Sequence, residues 1–227
     1  MASEYKTALM NLLRKHTTDP ANRTKTSATE TFTTNGTTNY VTLANNSLIY
    51  INTVTKNGVT QQLNRDFTIH FGKARGTDLP RIIFTTTPAN GETVIVNYYY
   101  GTNWIFGGYP QTTAEMPRIG LMTRHGNTEP AGFGDVEHFQ YPITNVIIAI
   151  RNGIEYTING KIYSGEKLLD YLVDELNEAV RQIRSNSEMG YLITLKYAGD
   201  ENISFDEDKD LSGKICTLTA QYQWNYP

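Results

Sequence analysis

The densest group of potential metal ligands in this chain is the acidic run from Asp206 to Asp210, which reads DEDKD. Its carboxylates at the first, third and fifth positions match the start of an EF-hand calcium loop, because calcium prefers oxygen ligands. That loop also needs Gly at its sixth position and Glu at its twelfth, where this chain has Leu211 and Thr217. The run is therefore interpreted as a solvated acidic turn between two strands.

A second segment has the glycine spacing of a phosphate-binding loop. Residues 160–167 read GKIYSGEK, so Gly160 and Gly165 stand at suitable positions before a predicted helix. Glu166, however, occupies the place of the lysine that contacts phosphate, and its negative charge would repel a nucleotide. We interpret the segment as the start of a helix and reject nucleotide hydrolysis.

Histidines and carboxylates also occur together between residues 125 and 138. The group comprises His125, Glu129, Asp135, Glu137 and His138. Imidazole and carboxylate are ordinary zinc and iron ligands, but this spacing matches no ligand pattern, and nearby glycines favour a solvated loop. No serine lies in a nucleophile elbow either. We predict no catalytic, cofactor-binding or metal-binding residue, no cofactor, and no enzyme activity.

Aromatic side chains are the last group with potential binding chemistry. Tyr98, Tyr99 and Tyr100 are consecutive, and an aromatic platform could stack on sugars or bases. Alternation along a strand places Tyr98 and Tyr100 on one face and Tyr99 on the other. We therefore expect Tyr98 and Tyr100 in the core and only Tyr99 outside.

Composition narrows the class of protein. The 227 residues carry 20 Lys and Arg against 23 Asp and Glu, and this net charge of −3 disfavours tight binding to a phosphate backbone. The single cysteine, Cys216, excludes an intrachain disulfide and fits a protein made in a reducing cytoplasm. No run approaches the ~18 apolar residues of a membrane span, and the N-terminal residues do not resemble a signal peptide. We expect a soluble chain that does not contact membranes.

The first half of the chain is predicted to be one short helix followed by strands. Apolar residues at helical spacing predict a helix over 3–16, and the polar stretch 21–38 is interpreted as a linker leading into an edge strand. Asn57-Gly58 predicts a hairpin, because both residues tolerate positive φ. Six short strands, which suggest a small sandwich or open barrel, are expected at 39–43, 48–56, 59–63, 66–71, 81–86 and 93–100.

The second half has a different pattern. The aromatic-rich stretch 102–118 is either a solvated linker or a packed connector, and its aromatics favour the packed form. The apolar run 143–150 predicts a central strand, and residues 165–184 carry a broad apolar stripe that predicts a long helix with Ser164 as N-cap. Two further strands are expected at 191–197 and 214–224.

These elements predict an α+β fold, in which a β-sandwich-like domain joins an antiparallel sheet covered by a long helix. The expected units are an N-terminal helix over 1–20 that packs with the C-terminal domain, a β-sandwich-like domain over 21–101, and an α+β domain over 102–227. Cys216 shares a face with other apolar residues of its strand and is expected to be an inert core residue.

Three segments carry a resemblance to known proteins. Residues 66–69 (DFTI), 82–84 (IIF) and 88–98 (PANGETVIVNY) resemble a small β-domain that recurs in virion proteins of tailed bacteriophages. Over 1–20 and 102–227, the order of helix, strand, long helix and two closing strands is similar to that of tail-terminator and related neck or tail-completion proteins. The β-domain would then be an addition to the smallest members of that group.

The resemblance implies a structural virion protein, a tail terminator that forms a ring at the head-tail junction or tail end of a phage. It implies self-association into a ring, expected to be a hexamer, contacts with neighbouring tail-tube, connector or stopper proteins, and passage of DNA without tight binding. The implied location is the virion, assembled in the host cytoplasm. A head-tail connector, stopper or baseplate component is the alternative within this class, and a carbohydrate-binding β-sandwich module is the alternative of another class. The run from Asp206 to Asp210 would then either line the ring's channel or face solvent outside it.

Overall fold

The predicted fold class is wrong, because the chain is mostly β rather than a balanced α+β protein. A computed structural model describes residues 2–72, 78–109, 115–124, 126–130, 137–205 and 210–225. It is 52% strand and 17% helix, with two helices and several sheets, so the long helix packs on one sheet of a mostly β chain rather than covering the single sheet of a balanced α+β fold. Both expected helices are present. The predicted fold class is wrong because the chain contains several strands that its hydrophobic pattern does not reveal.

The first half of the chain folds as one helix and two antiparallel sheets. Its elements are α1 (Ala2–His16), β1 (Lys25–Asn35), β2 (Tyr40–Thr42), β3 (Leu48–Lys56), β4 (Val59–Thr60), β5 (Phe67–His70), β6 (Arg81–Phe84) and β7 (Asn90–Gly101). One sheet has the order β1-β7-β3-β4 and the other β2-β6-β5. Alternation along β7 buries Val94, Val96 and Tyr98, as the period of two predicts.

β1 occupies most of the stretch that was expected to be a polar linker, residues 21–38. It pairs antiparallel with β7 along nearly its whole length. Ala28, Glu30 and Phe32 of β1 are partly buried on one face. Because the charged Glu30 stands between two apolar residues, the strand lacks the regular apolar–polar alternation that marks a half-buried strand. The Tyr98 hydroxyl donates a hydrogen bond to that Glu30 carboxylate. Pairing with β7 therefore stabilises a strand that lacks a clear hydrophobic pattern.

The predicted hairpin at Asn57-Gly58 is confirmed. Lys56 of β3 lies opposite Val59 of β4, and the two turn residues have φ of 50° and 78°. Positive φ at both central positions is the geometry of a type I′ turn, which matches the twist of the flanking strands.

The second half is organised around one large sheet. Its elements are β8 (Ile105–Phe106), β9 (Arg118–Arg124), β10 (Thr128–Pro130), β11 (Glu137–Gln140), β12 (Ile143–Arg151), β13 (Tyr156–Ile158), β14 (Lys161–Tyr163), α2 (Gly165–Ser185), β15 (Leu192–Ser204) and β16 (Leu211–Asn225). The sheet has seven strands in the order β10-β11-β16-β12-β9-β8, with β15 paired to β16, while β13 and β14 form a separate hairpin. The predicted strands at 143–150, 191–197 and 214–224 and the helix at 165–184 are confirmed, whereas β8 to β11, β13 and β14 were not predicted.

The connector after β7 is packed at its start and exposed at its end. Trp104 and Ile105 are buried, and Ile105 lies in β8, which pairs with β9 in parallel. Tyr109 is 58% exposed. The packed connector that the aromatics predicted is therefore confirmed for Trp104 and not for Tyr109.

α1 lies between the two halves of the chain, and their buried side chains form one hydrophobic cluster. The helix contacts β3 and β5 on the N-terminal side, and α2, β8 and β9 on the C-terminal side. Its predicted apolar stripe is buried at Tyr5, Leu9, Leu12 and Leu13. Whether residues 21–101 fold as a separate unit stays a prediction.

Arg14 of α1 is a buried cation at this junction. Its Nε donates to the carbonyl oxygen of Ile105 at 2.9 Å, and its Nη1 donates to those of Leu48 at 3.3 Å and Ile49 at 3.0 Å. The guanidinium carbon also lies 4.8 Å from the centre of the Phe71 ring. Burial lowers the pKa of Arg14 to about 9, so the side chain is still charged at neutral pH. One side chain thereby joins α1, β3 and β8.

A second polar contact joins the end of α1 to the loop after α2. The Glu188 carboxylate accepts from Lys15 Nζ at 3.0 Å and lies 2.5 Å from His16 Nε2. Burial raises the pKa of Glu188, but the hydrogen bonds from these two basic side chains outweigh it and leave the pKa below its usual value. In the ranges described here, neither helix is long and apolar enough to cross a membrane.

Candidate functional site

The seven-stranded sheet has one face under the helices. Side chains along β12 and β16 point alternately to this face and to the opposite face of the sheet. The residues on the face under the helices include Val146, Ile148, Cys216 and Leu218, which are fully buried. α2 contacts β12, β15 and β16, and Lys214 on this face reaches Asp170 of α2 with a distance of 2.8 Å between Nζ and Oδ1. Burial raises the pKa of the Cys216 thiol to about 12. Cys216 is thus an uncharged core residue, as its position in the strand predicted.

Among the described residues, no helix packs on one end of the opposite face. Strand register places Arg124, Ile143, Thr219 and Lys196 side by side across β9, β12, β16 and β15. In the next row of the sheet, Met122 of β9 lies opposite Asn145 of β12. Asn145 is two residues from Ile143, so Met122 lies on the same face as Ile143. Met122 is 43% exposed and Ile143 is 41% exposed. We call these five residues, Met122, Arg124, Ile143, Lys196 and Thr219, the uncovered face.

The other end of the same face is closed. Ile147 and Ala149, which follow Ile143 on alternate positions of β12, are buried. A Cβ built on Gly213, the partner of Ala149, would lie 2.9 Å from the Phe205 ring. Only glycine allows this close approach, and the Phe205 ring covers the sheet there. The uncovered face is therefore a bounded surface rather than a whole sheet side.

An open groove of about 790 Å³ runs across the uncovered face beside the β9–β10 junction. Ile143, Lys196 and Thr219 line it, together with Glu129 and Tyr141. The Tyr141 hydroxyl donates to Glu129 Oε2 at 3.1 Å, and the pKa of Tyr141 is raised by burial and then by this carboxylate. The groove thus presents a cation, a carboxylate and the apolar side chain of Ile143 among mainly polar residues, a mixture typical of surfaces that contact other polypeptides.

The outer side of α2 carries a row of carboxylates, which we call the acidic stripe. Glu166, Asp170, Asp174 and Glu178 follow at intervals of four residues, and i, i+4 side chains lie on one face of a helix. Asp170 is bound by Lys214, yet its side chain remains 58% exposed. Arg181 Nη2 lies 2.7 Å from the Glu178 carboxylate and lowers the pKa of that residue.

The acidic run from Asp206 to Asp210 lies largely outside the described residues, which include only Asp210. Asp210 is exposed, and its carbonyl oxygen accepts a hydrogen bond from the Asn152 amide at 2.7 Å. The interpretation of this run as a solvated turn, and its alternative as a channel lining, stay predictions.

The segment that resembled a phosphate loop is divided between two elements. Asn159 and Gly160 have φ of 50° and 76° and form the turn of the β13–β14 hairpin. Ser164 is the N-cap residue of α2, although its side chain makes no capping hydrogen bond. The interpretation as a helix start is confirmed for Ser164, while Gly160 belongs to an Asn-Gly hairpin turn that was not predicted.

The histidine-carboxylate group is only partly described. His138 is half-buried in β11 and Glu129 lies in β10, whereas His125 and Asp135 fall outside the described residues, as does the side chain of Glu137. Across the described part of the chain, no group of three or more His, Cys, Asp and Glu side chains is placed to hold a metal ion.

The three consecutive tyrosines lie on alternate faces of their strand, as predicted. Tyr98 is buried and Tyr100 packs against the core, while Tyr99 on the other face is partly buried rather than fully exposed. There the Tyr99 ring stacks on Tyr50 with 4.7 Å between centroids, and Lys25 Nζ lies 5.5 Å from the Tyr99 centroid. The ammonium group occupies the surface of this pair, so the rings do not form an open stacking platform.

Sequence reasoning missed the uncovered face because it missed β9. The segment RIGLMTR has alternate apolar residues, but the predicted connector ended at Arg118 and no element was predicted for the residues that follow it up to 143. In comparisons with known proteins, no family model matched the chain, and neither did any curated protein or solved structure.

Proposed function

We propose that this chain is a structural subunit that assembles with copies of itself into a ring, as a tail terminator at the head-tail junction or tail end of a tailed bacteriophage. The observation that carries the proposal is the two-sided character of the seven-stranded sheet. One face is buried under α1 and α2, while the uncovered face presents Met122 and Ile143 to solvent beside Arg124 and Lys196. Exposed apolar side chains grouped among polar ones mark protein contact surfaces.

The order of elements supports the phage assignment within this class. A helix at the N-terminus, the strand β12, the helix α2 and the two closing strands β15 and β16 occur in the order on which the resemblance to tail-terminator and neck proteins rests. The neighbouring tail-tube, connector or stopper proteins are then the further partners, with DNA passing through the ring. The net charge of −3 suits a channel that does not hold DNA tightly.

Mass measurement of the purified protein tests the proposal. We expect native mass spectrometry at micromolar concentration to show one closed oligomer, with six copies as the expected number, and negative-stain electron microscopy to show rings. A chain that stays monomeric at the highest soluble concentration overturns the proposal, and so does a dimer that does not grow further. Binding of a monomer on a glycan array would instead favour a carbohydrate-binding module.

A further inference from the structure

The uncovered face combines two cations with exposed apolar side chains. Neighbouring strands lie about 4.8 Å apart, so Arg124 and Lys196, three strands apart, flank Ile143 and Thr219 across roughly 14 Å. Glu129 lines the groove together with Lys196, and Glu201 lies opposite Ile215, two rows farther along this side of the sheet. A surface of this kind fits a protein segment that brings carboxylates and an apolar contact together.

The acidic stripe has that composition. Its four carboxylates extend over about 18 Å of α2, which is comparable with the distance between the two cations. Ile162 of β14 is 63% exposed, and it borders the same shallow depression as Asp170 and Asp174. Lys161 and Lys167 border that depression too, and Lys214 and Arg181 already bind Asp170 and Glu178. Among the described residues, Glu166 and Asp174 are therefore the carboxylates of the stripe that have no ion pair, and with the exposed Ile162 they are what the stripe offers to a surface of cations and apolar side chains.

The two surfaces lie on opposite sides of the C-terminal unit. α2 packs on the buried face of the sheet, where Lys214 binds Asp170, so its outer side points away from the uncovered face. Two complementary surfaces on opposite sides of one chain cannot contact each other, so each can bind only the matching surface of another copy. This binding repeats from copy to copy as a head-to-tail contact, and such contacts generate rings when the rotation between copies closes.

We infer that the uncovered face of one subunit docks onto the acidic stripe of α2 in a second copy of this chain. The inference rests on the proposed ring and adds the two surfaces that meet in it. A nucleic acid is the other occupant that the cations Arg124 and Lys196 could attract. The exposed Met122 and Ile143 beside these cations favour a partner that also brings an apolar side chain, as the helix of a second copy does with Ile162 next to it, and the negative net charge disfavours a nucleic acid.

Charge reversal distinguishes the two surfaces experimentally. In Lys196→Glu the uncovered face repels the acidic stripe, and in Asp174→Lys the stripe repels the uncovered face. We expect each variant alone to need an about tenfold higher concentration for half assembly at low salt, because close charges of like sign oppose docking. The controls are Lys25→Glu, which reverses a charge on the N-terminal sheet, and Glu201→Lys, which makes the sheet side more positive. Neither control should weaken assembly.

Mixing the two variants gives the sharper result. In a ring that alternates them, the glutamate introduced in Lys196→Glu always meets the lysine introduced in Asp174→Lys, and the unchanged Lys196 always meets the unchanged Asp174. An equimolar mixture should therefore assemble at nearly the wild-type concentration, although each variant alone does not. The double variant Lys196→Glu/Asp174→Lys should assemble as well.

The possible failures are separable. If the wild-type chain assembles and the reversals leave its assembly unchanged, or the mixture fails to restore it, the docking inference is wrong and the ring proposal stands. If the wild-type chain does not assemble, both are wrong. If a 30-base-pair DNA duplex binds the wild-type chain at 150 mM salt and Lys196→Glu abolishes that binding while assembly persists, the face serves nucleic acid instead.

Discussion

Removing Arg14 should weaken the junction between the two halves of the chain more than any surface change on α1. In Arg14→Ala the carbonyl oxygens of Ile49 and Ile105 lose their donor, whereas that of Leu48 keeps a hydrogen bond from Asn103 Nδ2 at 3.1 Å. Each orphaned buried carbonyl costs about 1–3 kcal/mol, and truncation of the buried stem adds a cavity. Recovery of the guanidinium desolvation cost offsets part of this loss.

We expect a net decrease of about 3 kcal/mol in the free energy of unfolding, measured by urea denaturation with circular dichroism. Arg14→Lys should lose about half as much, because an ammonium group retains the charge but cannot span acceptors on β3 and β8 together. Lys6→Ala, which removes a partly exposed cation of the same helix, is the control and should change stability by less than about 0.5 kcal/mol. A loss below about 1 kcal/mol in Arg14→Ala would show that these hydrogen bonds do not stabilise the junction.

Three further predictions concern the core, the N-terminal half and pH. Leu176→Ala should cost about 2–5 kcal/mol in urea denaturation, since Leu176 is only 1% exposed, whereas the exposed Asn177→Ala should be nearly neutral; equal effects would contradict the assigned stripe of α2. A fragment of residues 1–101 should give a β-type circular dichroism spectrum and a cooperative melt at higher temperature than residues 21–101, because α1 covers β3 and β5; identical melts would mean that α1 contributes nothing there. Glu188 has a lowered pKa in the folded chain, so its contribution to stability is present above the unfolded value near 4.5 and is lost as the pH falls through the folded value. Replacing Glu188 by Gln should therefore flatten the dependence of stability on pH in the acid range, and an unchanged dependence would rule this carboxylate out as its source.

Local pattern in the sequence determined the elements whose stabilisation is itself local. α1 and α2 each follow an apolar stripe at helical spacing, and the Asn57-Gly58 turn follows from two residues that accept positive φ. The burial of Tyr98 and Cys216 likewise follows from alternation within a single strand. In each case the information lies within a few residues of the position that it predicts.

Tertiary structure decided the elements that depend on distant partners. β1 is a strand because β7 lies beside it, although it has no clear hydrophobic pattern, and the short alternation in β9 becomes a strand because β12 lies beside it. These missed strands are why the chain proved mostly β when an α+β fold was predicted. Arg14 could not be recognised as buried from its place in a helix, since its acceptors come from residues 34 to 91 positions away.

The uncovered face shows the same division. Alternation in β12 already separates Ile143 from Thr144, so two different faces follow from the sequence alone. Which of them the helices cover depends on how the chain returns through α2 after the β13–β14 hairpin, and on contacts such as that between Lys214 and Asp170. Long-range packing, not residue type, thus left Arg124, Ile143 and Lys196 together at the surface.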